Sequence, residues 1–295
     1  MHKYLRAVGL AGLKERKDVQ RLVTDAIVNS TSRRYTSYND DELIAQFDKE
    51  LAPGMGLSVC GIFDAEDNFS YDYYYPYLTG TQISSLEDVT VERHAEKESY
   101  AGVCDDMKIG VTLIFYLQNM ISYVRVLNAG ELPLIGTSLS ISGLSVQGCI
   151  ILPIAKNDAD LQKVKKASNA RRKLLDQAKN GDESAIDTLT MEDWDIYMNL
   201  REKMSDSDVF TLVDTYMMPY GVECDQYSVL GEIRECECVT NSITDEKVWK
   251  FVLCINDLYM DVCINDLDLV GEPAVGRRFK GVIWMQGSVI HPMLW

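Results

Sequence analysis

Residues 69–77 read FSYDYYYPY, and this stretch decides the fold that we predict for the N-terminal half of the chain. An aromatic residue stands at every second position, and the side chains of an extended strand alternate between its two faces. Pro76 has no backbone N–H to donate, which favours a strand end or a sheet edge at that point. The spacing therefore predicts one strand whose aromatic rings share a face: Phe69, Tyr71, Tyr73, Tyr75 and Tyr77.

This aromatic stripe has two interpretations. It is either the buried face of a sheet or a platform on which a sugar ring or a base stacks. Tyrosine predominates over phenylalanine, and its hydroxyl group favours a partly wet surface where it finds a partner. We therefore treat four residues of the stripe as candidate ligand-binding residues: Tyr71, Tyr73, Tyr75 and Tyr77.

The segments on either side of the stripe are also rich in residues that favour strands. Residues 57–63 predict a strand before it, and residues 109–117 and 121–127 predict two strands after it. Residues 139–154 contain glycines at which a further pair of strands can turn. Together these segments predict a curved antiparallel sheet.

Two helices are predicted to pack against this sheet. Apolar residues recur at helical spacing between residues 14 and 29, which gives that segment one apolar face. A second helix is predicted between Asn39, which can cap it, and Pro53, which ends it. The apolar positions of this second helix are Leu43, Ile44, Phe47 and Leu51.

The C-terminal third returns to short strands after a stretch of helical character. Residues 157–216 predict three helices, and the strands that follow them include a hairpin with a two-residue turn at Asn256–Asp257. Short strands with frequent turns predict a small closed barrel, either OB-like or SH3-like. We therefore predict an α+β protein in three parts, with a mixed antiparallel sheet and helices over residues 1–155, a helical connector over 156–218 and a small β-barrel over 219–295.

Residues 91–106 read VERHAEKESYAGVCDD and gather more chemically capable side chains than any other stretch. An imidazole among carboxylates can bind a divalent metal ion or act as a general acid or base. The alternative is an ion-paired polar edge, in which Arg93 and Lys97 balance the glutamates and also offer two candidate ligand-binding groups. The candidate catalytic residues are Glu92, His94, Glu96, Glu98, Asp105 and Asp106.

Charge and motifs exclude several classes of function. The net charge of −16 opposes binding to nucleic acid and to anionic lipid. No apolar run approaches the 20 or so residues of a membrane helix, and neither a P-loop nor a dinucleotide fingerprint occurs. The eight dispersed cysteines predict reduced thiols in a cytoplasm, with no bound metal and no cofactor.

Several long motifs resemble one bacterial family. The chain is similar to domain-of-unknown-function family 3881, uncharacterised proteins of anaerobic Firmicutes, over nearly its whole length. The resemblance implies a bacterial, cytoplasmic protein and supplies no catalytic residues. It rests on residues 91–106, IGVTLIFYLQN (109–119), YYYPY (73–77), MPYGVECDQYSVLGEI (218–233) and VGRRFKGVIWMQG (275–287).

The sequence favours a non-enzymatic cytoplasmic protein that binds a small molecule or another protein, or serves as an adaptor. The alternative is a metal-assisted or acid–base enzyme centred on His94 and its neighbouring carboxylates. A third hypothesis is a regulator that binds an anionic partner along the basic run at residues 163–173. No pattern in the sequence indicates an oligomeric state.

Overall fold

The structure is a computed structural model that describes residues 2–13, 15–39, 41–93, 99–106, 109–153, 213–222 and 224–294, together with residues 174, 177, 182, 184 and 188. The chain divides into two compact units. The first consists of Met1–Ile151 and Thr215–Trp295, and the second is Leu152–Asp214. The second unit covers nearly the same residues as the predicted connector. Its basic run and nearly all residues of its predicted helices lie outside the described residues.

The first unit is mostly β, with few helices among its described residues. Its α-helices are α1 (Arg16–Val28) and α2 (Met120–Asn128), and short 3₁₀ helices span Lys3–Val8, Asp266–Asp268 and Pro292–Leu294. Its strands are β1 (Ser32–Ser37), β2 (Leu43–Ala52), β3 (Met55–Phe63), β4 (Phe69–Leu78), β5 (Val89–Arg93), β6 (Tyr100–Asp106), β7 (Val111–Leu117), β8 (Ser138–Ile151), β9 (Tyr216–Pro219), β10 (Gln226–Thr240), β11 (Lys247–Ile255), β12 (Leu258–Asn265), β13 (Leu269–Val270) and β14 (Arg278–Ile290). Among the described residues, no helix combines the length and the apolar character that a membrane-spanning helix needs.

Strands β1 to β4 form an antiparallel meander in the order β1-β2-β3-β4. Helix α1 packs on one face of this meander, where Lys49 of β2 binds Asp25 of α1 at 2.5 Å. The four buried residues of α1 are Val19, Leu22, Val23 and Ala26, and their helical spacing produces the predicted apolar face. The helix predicted from the segment 14–29 is therefore confirmed.

The predicted second helix is wrong, because residues 43–52 form strand β2. Ile44 and Phe47 fit helical spacing, but in the strand they lie on opposite faces of the meander, and both faces are covered. A strand that is buried on both faces shows no alternation of apolar and polar residues, so its pattern cannot be told from that of a helix. The prediction of a strand over residues 121–127 is wrong for the converse reason, because this β-branched segment lies within helix α2.

Five strands close into a barrel in the order β8-β12-β11-β10-β14, with β14 returning to β8. The neighbours are antiparallel except for β8 and β12, which run parallel. The turn between β11 and β12 has positive φ at both of its central residues, Asn256 and Asp257, which confirms the predicted two-residue hairpin.

The barrel corrects the predicted boundary between the first and third parts of the chain. Strand β8 comes from the segment 1–155, whereas the other four strands come from 219–295, so the two segments share one sheet and one compact unit. The physical reason is edge pairing. Without β8, strands β12 and β14 would each present an open row of backbone N–H and C=O groups.

The barrel interior is filled by side chains. The rings of Phe251 and Phe279 lie 5.5 Å apart, and both residues are almost completely buried, as are Val262 and Ile283. Beyond the barrel, β14 pairs with β7, and the sheet continues through β6 to β5. This extension places β7 and its aromatic residues against the face of the meander that α1 leaves free.

Candidate functional site

The aromatic stripe of β4 is divided between two faces by a β-bulge. Cys60 of β3 pairs with Tyr73, and the next residue, Gly61, pairs with Tyr71, which leaves Asp72 as an extra residue in β4. An extra residue reverses the alternation of the side chains that precede it. The prediction that all five rings share one face is therefore wrong, although the alternation holds on each side of the bulge.

The two rings before the bulge face helix α1. Phe69 packs edge to face on Phe47, with ring centroids 4.9 Å apart. Tyr71 is 41% exposed, and its hydroxyl group donates to Gln20 Oε1 of α1 at 3.3 Å. Tyr71 is therefore an exposed residue on the α1 side and does not join the other candidate tyrosines.

The three rings after the bulge, those of Tyr73, Tyr75 and Tyr77, face strand β7 and the barrel. The ring centroid of Tyr75 lies 4.6 Å from that of Tyr116 in β7, and Tyr116 lies 5.4 Å from Trp284 in β14. Tyr75 is 3% exposed. This part of the stripe is therefore a buried wall between two sheets.

Polar residues lie beside this wall on the same face of the meander. In the strand pairing, Arg34 stands opposite Gln46, and Ser58 stands opposite both Asp48 and Tyr75. Because residues i and i+2 of a strand share a face, Gln46 and Asp48 lie on the same side of β2. We name the group formed by Arg34, Gln46, Asp48, Ser58 and Tyr75 the Arg34 cluster.

The carboxylate of Asp48 is the centre of the Arg34 cluster. It accepts hydrogen bonds from Arg34 Nη2, from Gln46 Nε2 at 2.9 Å and from the Ser58 hydroxyl group at 2.6 Å. Gln46 Nε2 also donates to the hydroxyl oxygen of Tyr75 at 3.2 Å. Three different strands therefore hold this carboxylate in place.

Two buried polar atoms of the Arg34 cluster have no hydrogen-bond partner among the residues that the structure describes. They are Arg34 Nε, which is a donor, and Gln46 Oε1, which is an acceptor. Gln46 as a whole is 2% exposed, whereas the outer part of the Arg34 side chain reaches solvent. An unsatisfied buried polar group costs about 1–3 kcal/mol, so such groups in a folded protein call for an explanation.

Burial and neighbouring charges determine the protonation states of the residues in and around the Arg34 cluster. Burial opposes the charge on Arg34, but the neighbouring Asp48 outweighs it and the pKa of Arg34 is raised. Burial raises the pKa of Cys60 to about 12 and raises the pKa values of Tyr73 and Tyr75 well above the usual tyrosine value. At neutral pH the Arg34 guanidinium is therefore charged, and the Tyr75 hydroxyl group and the nearby Cys60 thiol are neutral.

The charged stretch at 91–106 is only partly described. His94, Glu96, Lys97 and Glu98 lie outside the described residues. Glu92 and Arg93 are exposed neighbours in β5, so their side chains point to opposite faces of the sheet. Of the six titratable residues between positions 92 and 98, the structure therefore describes two, Glu92 and Arg93, and it places their side chains on opposite faces of the sheet.

The two aspartates of this stretch also point to opposite faces. Asp105 is exposed and accepts from the Thr112 hydroxyl group at 2.6 Å. Asp106 is 2% exposed and accepts from the Ser85 hydroxyl group at 2.7 Å, which in turn lies 3.8 Å from Cys104 Sγ. Glu92 pairs with Ala101 of β6, which lies on the same face of the sheet as Asp105. Ala101 and Asp105 are four residues apart along the strand, or about 13 Å. The described carboxylates of the predicted catalytic set therefore do not converge.

A metal site is not assembled within the described ranges. No group of three or more histidine, cysteine, aspartate and glutamate side chains there is arranged to hold a metal ion. Burial raises the pKa of Cys104 to about 11, so the thiol beside Ser85 and Asp106 stays protonated at neutral pH. The Ser85–Asp106 contact therefore acts as a structural tie between β6 and the segment that follows β4.

Sequence reasoning missed four residues of the Arg34 cluster: Arg34, Gln46, Asp48 and Ser58. The signal was present, because Gln46 and Asp48 interrupt the apolar run of residues 43–52 two positions apart. That spacing would have indicated one polar face of a strand. The prediction of a helix assigned both residues to a solvated surface instead.

Comparison with known proteins yields one finding. A family model described as "Domain of unknown function, E. rectale Gene description (DUF3881)" matches residues 5–287. No curated protein and no solved structure matches the chain.

Proposed function

The chain belongs to the DUF3881 family, whose model covers nearly all of it, and on this premise we propose that it is a non-enzymatic binding or adaptor protein of a bacterial cytoplasm. The family description names no activity, so the proposal rests on the described residues. We place the binding site at the Arg34 cluster. Its partner is a small molecule, with a protein as the alternative.

The observation that carries the proposal is the pair of unpartnered polar atoms in the Arg34 cluster. Arg34 Nε and Gln46 Oε1 are buried, whereas the Arg34 side chain as a whole is partly exposed. A ligand that enters beside Arg34 would satisfy both atoms and remove the cost of leaving them unpaired. Ligand sites commonly combine a few fixed polar groups with aromatic walls, as Asp48 and Tyr75 supply here.

The protonation of the surrounding groups supports binding over catalysis. A catalytic thiol or phenol needs a lowered pKa, but burial raises the pKa of Cys60 and that of Tyr75. The Asp48 carboxylate already accepts three hydrogen bonds, so its lone pairs are engaged. These groups are arranged to hold a polar partner in place.

We also assign the barrel to the OB-like type. An OB-fold pairs its third and fifth strands in parallel, and β12 and β8 form such a pair here. Strands β10, β11 and β12 would serve as the first three strands, β14 as the fourth, and β8 as a fifth strand that comes first in the chain. An SH3-like barrel has no such parallel pair, which supports the OB-like assignment over it.

The same barrel supports a partner other than nucleic acid. The loop between β10 and β11 is a common oligonucleotide-binding loop of OB-folds. Here Asn241 Nδ2 donates to the Val8 carbonyl oxygen at 2.7 Å, and the Thr244 hydroxyl group donates to the Gly9 carbonyl oxygen at 2.5 Å. The N-terminal segment thus covers this loop, and the net charge of −16 repels phosphates.

The test is retention of metabolites without conversion. The full chain is incubated with a bacterial metabolite extract, and bound and free compounds are separated by ultrafiltration and identified by mass spectrometry. We expect at least one compound to be retained unchanged by the wild-type chain and by the Tyr71→Ala variant, whose altered side chain lies on the α1 side. Conversion of a compound that His94→Ala abolishes would contradict the proposal and favour an enzyme centred on His94.

A further inference from the structure

The unpartnered donor and acceptor of the Arg34 cluster belong to residues that stand directly opposite each other. Arg34 of β1 pairs with Gln46 of β2, and the Cβ atoms of such a pair lie about 4.5–5.5 Å apart. Both side chains extend over the same face, so one small group can reach Arg34 Nε and Gln46 Oε1 together. That group must offer an acceptor to the guanidinium N–H and a donor to the amide oxygen.

The charges of the cluster favour a neutral group. The guanidinium of Arg34 is already neutralised by Asp48, so a carboxylate ligand would bring a second anion close to Asp48. A carboxylate also lacks a donor for Gln46, and an ammonium group lacks an acceptor for Arg34. An amide has both a carbonyl oxygen and an N–H on adjacent atoms, which matches the two unpartnered positions.

The buried tyrosines favour a small ligand group. The Tyr75 ring is 3% exposed and already packs on the rings of Tyr73 and Tyr116, with centroids 6.4 Å and 4.6 Å away. A compact polar group therefore fits beside this wall better than a large ring system. We therefore propose that the Arg34 cluster binds a neutral ligand through an amide or lactam edge, with Arg34 Nε donating to its carbonyl oxygen and Gln46 Oε1 accepting from its N–H. This inference rests on the proposed binding function and names the chemical class of the ligand.

The experiment follows the Nε–H signal of Arg34 by NMR in the ¹⁵N-labelled full chain. The probes are acetamide and the lactam 2-pyrrolidinone, with acetate and methanol as comparison compounds. The Arg34→Lys variant lacks this N–H but can keep an ion pair with Asp48, so the missing peak assigns the signal. We expect a saturable shift of the Arg34 signal with both amides and no shift with acetate.

Two matched variants locate the binding. Gln46→Met removes the acceptor with little change in volume, and we expect it to weaken amide binding about fivefold, since one hydrogen bond contributes about 1 kcal/mol. Gln20→Met makes the same change on the exposed surface of α1, and we expect no effect. Arg34→Lys abolishes saturable amide binding, detected in that variant by the shifts of the tyrosine ring protons, and it serves as the second test if Gln46→Met does not fold.

Of the four other outcomes, the first three overturn the inference and the fourth overturns only the proposed function. If no probe shifts the Arg34 signal, the two atoms are satisfied within the protein or by an ordered water. If methanol shifts it and the amides do not, the site takes a hydroxyl group. If the wild-type and Arg34→Lys chains retain metabolites equally, the protein is a binding protein but its site lies elsewhere. If a metabolite is converted while the amides still bind at Arg34, the proposed function fails but the proposed ligand class stands.

Discussion

The barrel and the meander differ in the kind of side chain that they bury. The barrel interior is filled with apolar side chains such as Phe251 and Phe279, which pack against each other without polar groups. The meander buries Asp48 and Gln46 beside a tyrosine wall and leaves Arg34, the cation that pairs with Asp48, only partly buried. Apolar packing stabilises a fold directly, whereas buried charges cost free energy unless they are fully paired. The difference indicates that the barrel is a structural scaffold, whereas the polar side chains of the meander have a role other than packing.

The largest effect is expected in the barrel, from Phe279→Ala. Phe279 is completely buried, and removal of its ring leaves a cavity beside Phe251. We expect the free energy of unfolding to fall by about 3–5 kcal/mol, measured by urea denaturation. Phe279→Leu is the matched control and should cost much less. A loss below about 1 kcal/mol for the alanine variant would show that the barrel interior is not closely packed.

A smaller loss is expected in the meander, from Asp48→Ala. This change leaves donors of Arg34, Gln46 and Ser58 without their shared acceptor. Because the Arg34 side chain is 38% exposed, water can replace part of its partner, and we expect a loss of about 2–3 kcal/mol. Asp48→Asn keeps one acceptor oxygen and should lose less. Equal stability of Asp48→Ala and wild type would remove the contrast with the barrel.

A hydrogen-bonded contact between the barrel and the segment after the meander predicts a pH dependence of the free energy of unfolding, intermediate in size between the other effects. Asp261 on the outside of the barrel accepts from Thr81 N at 2.7 Å and from the Thr81 hydroxyl group, just after the last meander strand. Burial raises the pKa of Asp261 above 3.8, and the Thr81 bonds oppose this rise without cancelling it. The folded state therefore binds this proton more tightly than the unfolded state, so stability falls as pH rises from 3.8 through the folded pKa. We expect wild type to lose stability relative to Asp261→Asn over this window, as measured by urea denaturation between pH 4 and pH 7; the opposite slope would mean that the Thr81 bonds dominate.

The smallest effect is expected for Tyr71→Ala, on the far side of the bulge. Tyr71 is 41% exposed and makes one hydrogen bond, to Gln20. We expect a change of about 0.5 kcal/mol or less in the free energy of unfolding, compared with several times that for Tyr75→Ala on the buried side. Thermal denaturation of the two variants side by side checks this, and equal losses would contradict the division of the stripe.

Sequence patterns predicted the local elements where one period dominated. The barrel strands β10, β11, β12 and β14 and the hairpin turn at Asn256–Asp257 follow from alternation and turn chemistry. The pair of strands predicted over residues 139–154 is wrong, because residues 138–151 form the single strand β8. Strand β2 was predicted as a helix because both of its faces are buried. The bulge at Asp72 could not be recognised in the sequence, because the alternation of aromatic residues continues through it. The last two errors concern information that lies in neighbouring strands and not in the segment itself.

Long-range pairing was the part that no local pattern could supply. The parallel pairing of Ser142 with Asp261 joins residues from the two halves of the chain, and through it the barrel includes a strand from the N-terminal half. The Arg34 cluster depends in the same way on three strand pairings made at once. Its candidate residues could be seen in the sequence as polar interruptions, but their convergence on Asp48 could not.

The position of β14 has a consequence for the synthesis of the chain. Residues 278–290 pair with β8, β10 and β7 and follow all three in the chain, so the strand that joins the two parts of the large sheet leaves the ribosome after the strands that it pairs with. Until it emerges, β8 exposes the edge that β14 later covers, and that edge can pair with a neighbouring nascent chain. The large sheet is therefore completed only after β14 has been synthesised, and a chain truncated after residue 277 lacks the strand that its two parts have in common.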